Sequence, residues 1–149
     1  MNLEIVEAKP FHCGQMSRML RQEHDAVLAR LGVNAHLALR MQYEKAPIAR
    51  AYFVNGRLAC LWGVDGTLAS DEGHVWMALA RWTTPHVRQI LTCAKAQLAE
   101  LMKTRRSLRT LILIEDKASF RFAKHLGFRV VENAESSFET VWMEVSRGL

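Results

Sequence analysis

Leu111-Ile112-Leu113-Ile114-Glu115-Asp116-Lys117-Ala118-Ser119-Phe120-Arg121-Phe122-Ala123-Lys124-His125-Leu126-Gly127-Phe128 decides how the rest of the sequence is read. Leu111 to Ile114 is an uninterrupted apolar run, the pattern of a strand covered on both faces. Asp116 then stands where a carboxylate caps a helix N-terminus. Phe120, Ala123 and Leu126 recur at helical spacing, and Gly127 supplies a left-handed stop. Phe128 opens the next strand, Phe128 to Val131. The stretch predicts strand, short helix and strand in succession.

Upstream, Val87, Ile90, Leu91, Ala94, Leu98, Leu101 and Met102 keep the 3.6 period through about four turns. Thr84-Pro85 predicts a cap followed by proline at the first helical position, where its missing N–H costs nothing. His74 to Ala80 reads as a strand with Val75, Met77 and Leu79 on one face. A helix joining two strands predicts a crossover between parallel neighbours. These two strands are expected to diverge toward their C-terminal ends, leaving a cleft bordered by Arg81 and Glu115.

Further back, Ile48 to Val54 and Arg57 to Val64 flank Asn55-Gly56, a dipeptide that tolerates positive φ at both turn positions and so predicts a hairpin. Asp65-Gly66 and Asp71 to Gly73 punctuate a polar loop. At the N-terminus, Leu3 to Ala8 alternates as a strand. Met16, Met19, Leu20, Val27, Leu28 and Leu31 mark one helix, stopped by Gly32. Asn34 caps a second helix through Leu37, Leu39 and Met41, which Pro47 forbids from continuing. Phe138 to Val145 is the last strand. The order β-α-α-β-β-β-α-β-α-β-β predicts an α/β (α+β) fold, a mixed, mostly antiparallel sheet with helices on both faces, in one domain spanning 1–149.

The 149 residues are half hydrophobic and 23% charged, a globular composition. No apolar run reaches the roughly 20 residues that span a bilayer. Met1 to Lys9 carries Glu4 and Glu7 and lacks a signal-peptide core, so a cytoplasmic protein is expected. Cys13, Cys60 and Cys93 are widely spaced and odd in number, which suits buried thiols of a reducing compartment. The histidines show no zinc spacing, and no metal is expected. Net charge is +5. Lys103, Arg105, Arg106 and Arg109 stand where a helix ends and complement its dipole. No aromatics interleave with them, which argues against nucleic acid.

The element order and the segment Asp116 to Phe128 resemble the GCN5-related N-acetyltransferase (GNAT) superfamily, over nearly the whole chain. The family's segment after its fifth strand runs Asn-x-x-Ala-x-x-x-Tyr-x-x-x-Gly-Phe. The resemblance implies a GNAT-like acyl-CoA N-acyltransferase fold, acetyl-CoA as substrate and an amine as acceptor. It implies cofactor contacts from Leu79 and Ala80 on the fourth strand, from Arg81, His86, Arg88 and Gln89 at the phosphate end, and from Asp116, Ser119 and Phe122 beyond the fifth strand. Three departures stand out. Arg81 to Gln89 contains no glycine where the family has a glycine-rich pyrophosphate turn, Ala123 replaces the thiolate-protonating Tyr, and Asp116 replaces Asn.

Candidate bases are His74, with a pKa naturally near neutrality, Glu115 at the end of the fifth strand, and Glu44 on the second helix. Each has a plain alternative as a polar surface residue. Trp62 and Trp76 line a pocket or pack a core. Gly73-His74-Val75-Trp76-Met77, Leu61-Trp62-Gly63-Val64 and Arg121 to Phe128 also resemble acetyltransferase-like proteins of tailed bacteriophages and prophages, some of them internal virion proteins. That second resemblance implies a fold used without the chemistry, as a structural or interaction protein associated with virions. Both readings stay open, and both permit a homodimer.

Overall fold

The structure, a computed structural model, describes residues 2–65, 72–113, 116–131 and 140–146, without the side chains of Glu23 and Val27. Its elements are β1 (Leu3–Glu7), α1 (Pro10–Ser17), α2 (Gln22–Arg30), α3 (Ala35–Lys45), β2 (Ile48–Val54), β3 (Arg57–Asp65) and β4 (Glu72–Leu79). A 3-10 turn (Arg81–His86) leads to α4 (Val87–Met102), β5 (Ser107–Leu113), α5 (Lys117–His125), β6 (Arg129–Val130) and β7 (Thr140–Ser146). The strands lie in one mixed, mostly antiparallel sheet ordered β1-β2-β3-β4-β5-β7-β6. Two compact units divide the chain: Met1–Gly66 with Trp76–Pro85, and Thr67–Val75 with His86–Leu149.

In the first unit, β2 pairs antiparallel with β1 and with β3. The predicted turn is present: Asn55 has φ 51° and Gly56 φ 79°, the positive values a two-residue hairpin turn needs. Asn55 Oδ1 also accepts from Asn2 N at 3.0 Å. Asn34 caps α3, its Oδ1 accepting from Leu37 N at 3.1 Å. Met16, Leu20, Leu39, Leu61, Trp76 and Ala78 form a buried core, with α1 and α3 packed on β3.

The single helix expected before Gly32 is two. Arg81 N donates to Met19 O and Arg21 N to Leu79 O, and Leu20 bridges Ala80. Backbone committed to such pairing cannot also continue a helical ladder, so α1 ends at Ser17. Gly32 does take the left-handed φ, +69°.

Trp76 packs the core, which decides between its two readings. Its indole lies against Gly63, where an added Cβ would sit 2.5 Å from Trp76 Cζ2. Only glycine allows so close an approach. Trp62 is also buried and meets Tyr52 edge-on.

His12 is buried, and its Nδ1 accepts from Lys9 N at 2.8 Å. The fold therefore needs the neutral ring, and burial, helped by the Lys9 charge, holds the pKa below 6.5. The unfolded chain protonates first as pH falls. Stability from this group is thus full above pH 6.5 and declines below it, toward the lower folded pKa. Urea unfolding at about pH 7.5 and 5.5 should show this loss, and His12→Asn, which keeps an acceptor but cannot titrate, should shrink it. An unchanged pH dependence in His12→Asn would remove His12 from the account.

In the second unit, Glu72, Gly73 and His74 pair parallel with Ser107, Leu108 and Arg109, as the crossover reading predicted. β5 then pairs antiparallel with β7 along its length, and β6 pairs with β7. Leu108, Ile112 and Met143 are buried, as are Ile90, Ala94, Ala123 and Phe128. Leu111 departs from the expectation of cover on both faces: it is 43% exposed. Strand alternation turns it away from Leu108 and Ile112. Thr84 does not cap α4. Its hydroxyl donates to Arg81 O within the 3-10 turn, which contains Pro85, and His86 is the residue preceding the helix.

Asp116 caps α5 as predicted, Oδ1 accepting from Ser119 N at 3.1 Å. Gly127, at φ +99°, closes it. Gly127 N donates to Lys124 O and Phe128 N to Ala123 O, a paired closure that satisfies two carbonyls at the helix end. Arg105 corrects a further expectation. It is only 5% exposed, with Nε lacking a hydrogen-bond partner, and is not a solvated helix-end cation. Gly66 to Asp71, Ile114, Glu115 and Phe138 lie outside the described residues.

Candidate functional site

The backbone at the end of β4 is already committed. Leu79 O accepts from Arg21 N at 3.1 Å, Ala80 N donates to Ala59 O at 2.9 Å, and Arg81 N donates to Met19 O at 2.8 Å. Ala80 O accepts from Thr83 Oγ1 at 2.7 Å. The Arg81 guanidinium donates to Arg18 O at 2.9 Å, so this side chain also ties the β4 end to the segment after α1. Trp82, which sequence reasoning passed over, anchors the 3-10 turn: Nε1 donates to Leu58 O at 3.0 Å. The Arg57 guanidinium stacks 4.7 Å from its ring centroid, within cation–π range. No local pattern pairs Arg57 with Trp82, since the contact joins residues far apart in sequence. Glu44 is exposed and pairs with Arg40 at 3.0 Å on α3.

In the second unit, His86, Arg88 and Gln89 come together at the start of α4. Arg88 and Gln89 are exposed and His86 half-buried. The His86 side chain makes no cap bond to this 16-residue helix, and no acid stands in its first turn. The 3-10 turn runs directly into α4, and the dipole at this end favours an anion. Asp116 and Ser119 also come together, but in each other's service. Asp116 is buried, and its Oδ2 accepts from Ser119 Oγ at 2.6 Å. Phe122 is half-buried on the same helix.

His74 stands in a row across the sheet with Arg109 and Glu144, its ring centroid 5.6 Å from that of Trp142. Arg109 Nε donates to Glu144 Oε2 at 2.7 Å. That bond, with help from Ser146, holds the Glu144 carboxyl below the usual range. Ala123 is buried, so the position that carries Tyr in the family pattern presents only a methyl group.

Cys13 and Cys60 are buried and Cys93 half-buried, and burial pushes the Cys13 thiol up, away from the reactive thiolate. Among the described residues no group of His, Cys, Asp and Glu is arranged to hold a metal, and no helix is long and apolar enough to cross a membrane.

No protein-family model matches the chain, and no curated protein matches it. Solved structures do. An acetyltransferase of the GNAT family from Streptococcus pneumoniae is 16% identical, covering 99% of this chain and 100% of its own, with a TM-score of 0.58. RimL, a ribosomal L7/L12 α-N-protein acetyltransferase solved with coenzyme A, is 12% identical over 98% of this chain and 94% of its own, at 0.72. AAC(6')-Ib, solved with ribostamycin and coenzyme A, is 11% identical over 99% and 94%, at 0.73. The chain has the fold of the GNAT acyl-CoA N-acyltransferases.

Proposed function

We propose that this chain binds acetyl-CoA and transfers its acetyl group to an amine, as one domain working in the cytoplasm. The observation that carries the reading is Arg88 and Gln89, exposed at the start of α4 with no acid in the helix's first turn. A guanidinium at the positive end of a helix dipole suits a pyrophosphate. Here the side chains take over from the missing glycine turn. Coenzyme A in solved neighbours of the same fold supports the choice of ligand. Because the β4-end amides of Ala80 and Arg81 already donate within the chain, the phosphate end supplies a large share of the affinity.

In the transfer, the acceptor nitrogen attacks the thioester carbonyl, the C–N bond forms and the C–S bond breaks. The amine loses a proton and the departing thiolate gains one. His74 and Glu115 remain the candidate bases, while the Arg40 partnership counts against Glu44. Ala123 offers no proton, so water supplies it and turnover is slow, since a general acid contributes typically about 10²–10⁴-fold.

Calorimetric titration with acetyl-CoA tests the reading. The parent protein should bind, more weakly as salt rises. Arg88→Glu should weaken binding by about tenfold, while Lys95→Glu, an exposed change on α4, should leave it unchanged. Folded parent protein that does not bind acetyl-CoA would overturn the proposal in favour of the noncatalytic, virion-associated alternative.

A further inference from the structure

Lys117, Phe120, Arg121 and Lys124 repeat at i, i+3, i+4 and i+7, so they form one stripe of α5. The four residues line an open depression of about 430 Å³. Lys117, Arg121 and Lys124 are exposed and Phe120 is half-buried. Among the described residues no carboxylate pairs with any of these three cations. From Lys117 to Val131 the sequence contains no acid at all, and Arg129 adds a further exposed cation beyond the helix. Asp116, the nearest acid before the stretch, is buried and engaged by Ser119.

From this arrangement we infer that the outer face of α5 is a docking surface for an acidic polypeptide segment that seats an apolar side chain against Phe120. A rim of three unpaired cations around a single aromatic complements carboxylates flanking one apolar anchor. The Phe120 ring favours a peptide over a nucleic acid. It is the single aromatic among the lining residues, whereas nucleic-acid sites stack successive bases on several rings. A lipid surface is disfavoured too, because membrane-lying helices present a broad apolar face, and Phe120 is the single apolar residue lining the depression.

The test is fluorescence anisotropy with a labelled peptide of repeating Glu-Glu-Leu, using the full chain. The peptide should bind, and more weakly as salt rises from about 0.05 to 0.3 M. The double variant Lys117→Glu, Lys124→Glu should weaken it by about tenfold or more, Phe120→Ala should weaken it at every salt concentration, and Lys95→Glu should leave it unchanged. Circular dichroism confirms that each variant is folded. Peptide that fails to bind the folded parent would overturn the proposal. So would affinity indifferent to the charge reversal, tighter binding of oligothymidylate or anionic vesicles, or displacement of the peptide by coenzyme A, which would assign the face to the cofactor. The acetyl-CoA titration above is a separate measurement, so failure of the acetyltransferase reading leaves this result standing.

Discussion

Gly63→Val should be severely destabilising, with a loss of roughly 3 kcal/mol, at the upper end of what overpacking a core costs. A Cβ at this position falls 2.5, 2.6 and 2.7 Å from Cζ2, Cε2 and Nε1 of Trp76. The clash is with the body of a rigid indole, not with the tip of a flexible chain. Trp76 is itself buried in the core with Met16, Leu20 and Leu39, so neither partner yields without disturbing α1 or α3. Gly63→Ala should show the same sign with a smaller loss. Pairing Gly63→Val with Trp76→Leu should cost less than the sum of the single changes, since residues in direct contact are not additive. Urea midpoints of the four variants measure this. A Gly63→Ala protein as stable as the parent would show that the indole shifts freely.

Arg105→Glu should be the other large loss, about 3 kcal/mol or more, because it leaves a carboxylate where the surroundings accept a guanidinium. The side chain is 5% exposed and its Nε has no hydrogen-bond partner. Arg105→Met keeps the length of the stem without the charge and should cost much less, since apolar replacement of a buried ion is often close to neutral. Thermal unfolding of both variants decides it. A Glu variant no less stable than the Met variant would mean that charge at this site is not what the fold requires.

The same residue shows where sequence reading stops. Lys103, Arg105 and Arg106 look alike in a helix-end cluster, yet Arg105 alone of the three is buried, and nothing local to the chain says so. Features governed by local backbone chemistry were legible: the two positive φ values at Asn55-Gly56, the side-chain caps from Asn34 and Asp116, the left-handed Gly127. The parallel β4–β5 pair followed from the length and period of the helix between them. The break after Ser17 did not, because the Leu20–Ala80 bridge that causes it joins residues far apart in sequence. The candidate site divides the same way. Exposure of Arg88 and Gln89 follows from polar residues opening an amphipathic helix, whereas the prior commitments of Leu79, Ala80 and Arg81 depend on a partner segment that no pattern in β4 announces.

The discontinuity of the first unit bears on how the protein is made. Synthesis is vectorial, and a nascent chain that has emerged only as far as Gly66 already carries β1, β2, β3 and their helices, but not Trp76–Pro85. At that moment the groove over Gly63 has no indole to fill it, and the Met19 carbonyl and the Arg21 amide have no partners. Folding of the N-terminal half must therefore wait until β4 and the turn after it clear the ribosome. Until then the apolar surface of α1 and α3 is exposed to chaperones or to other chains.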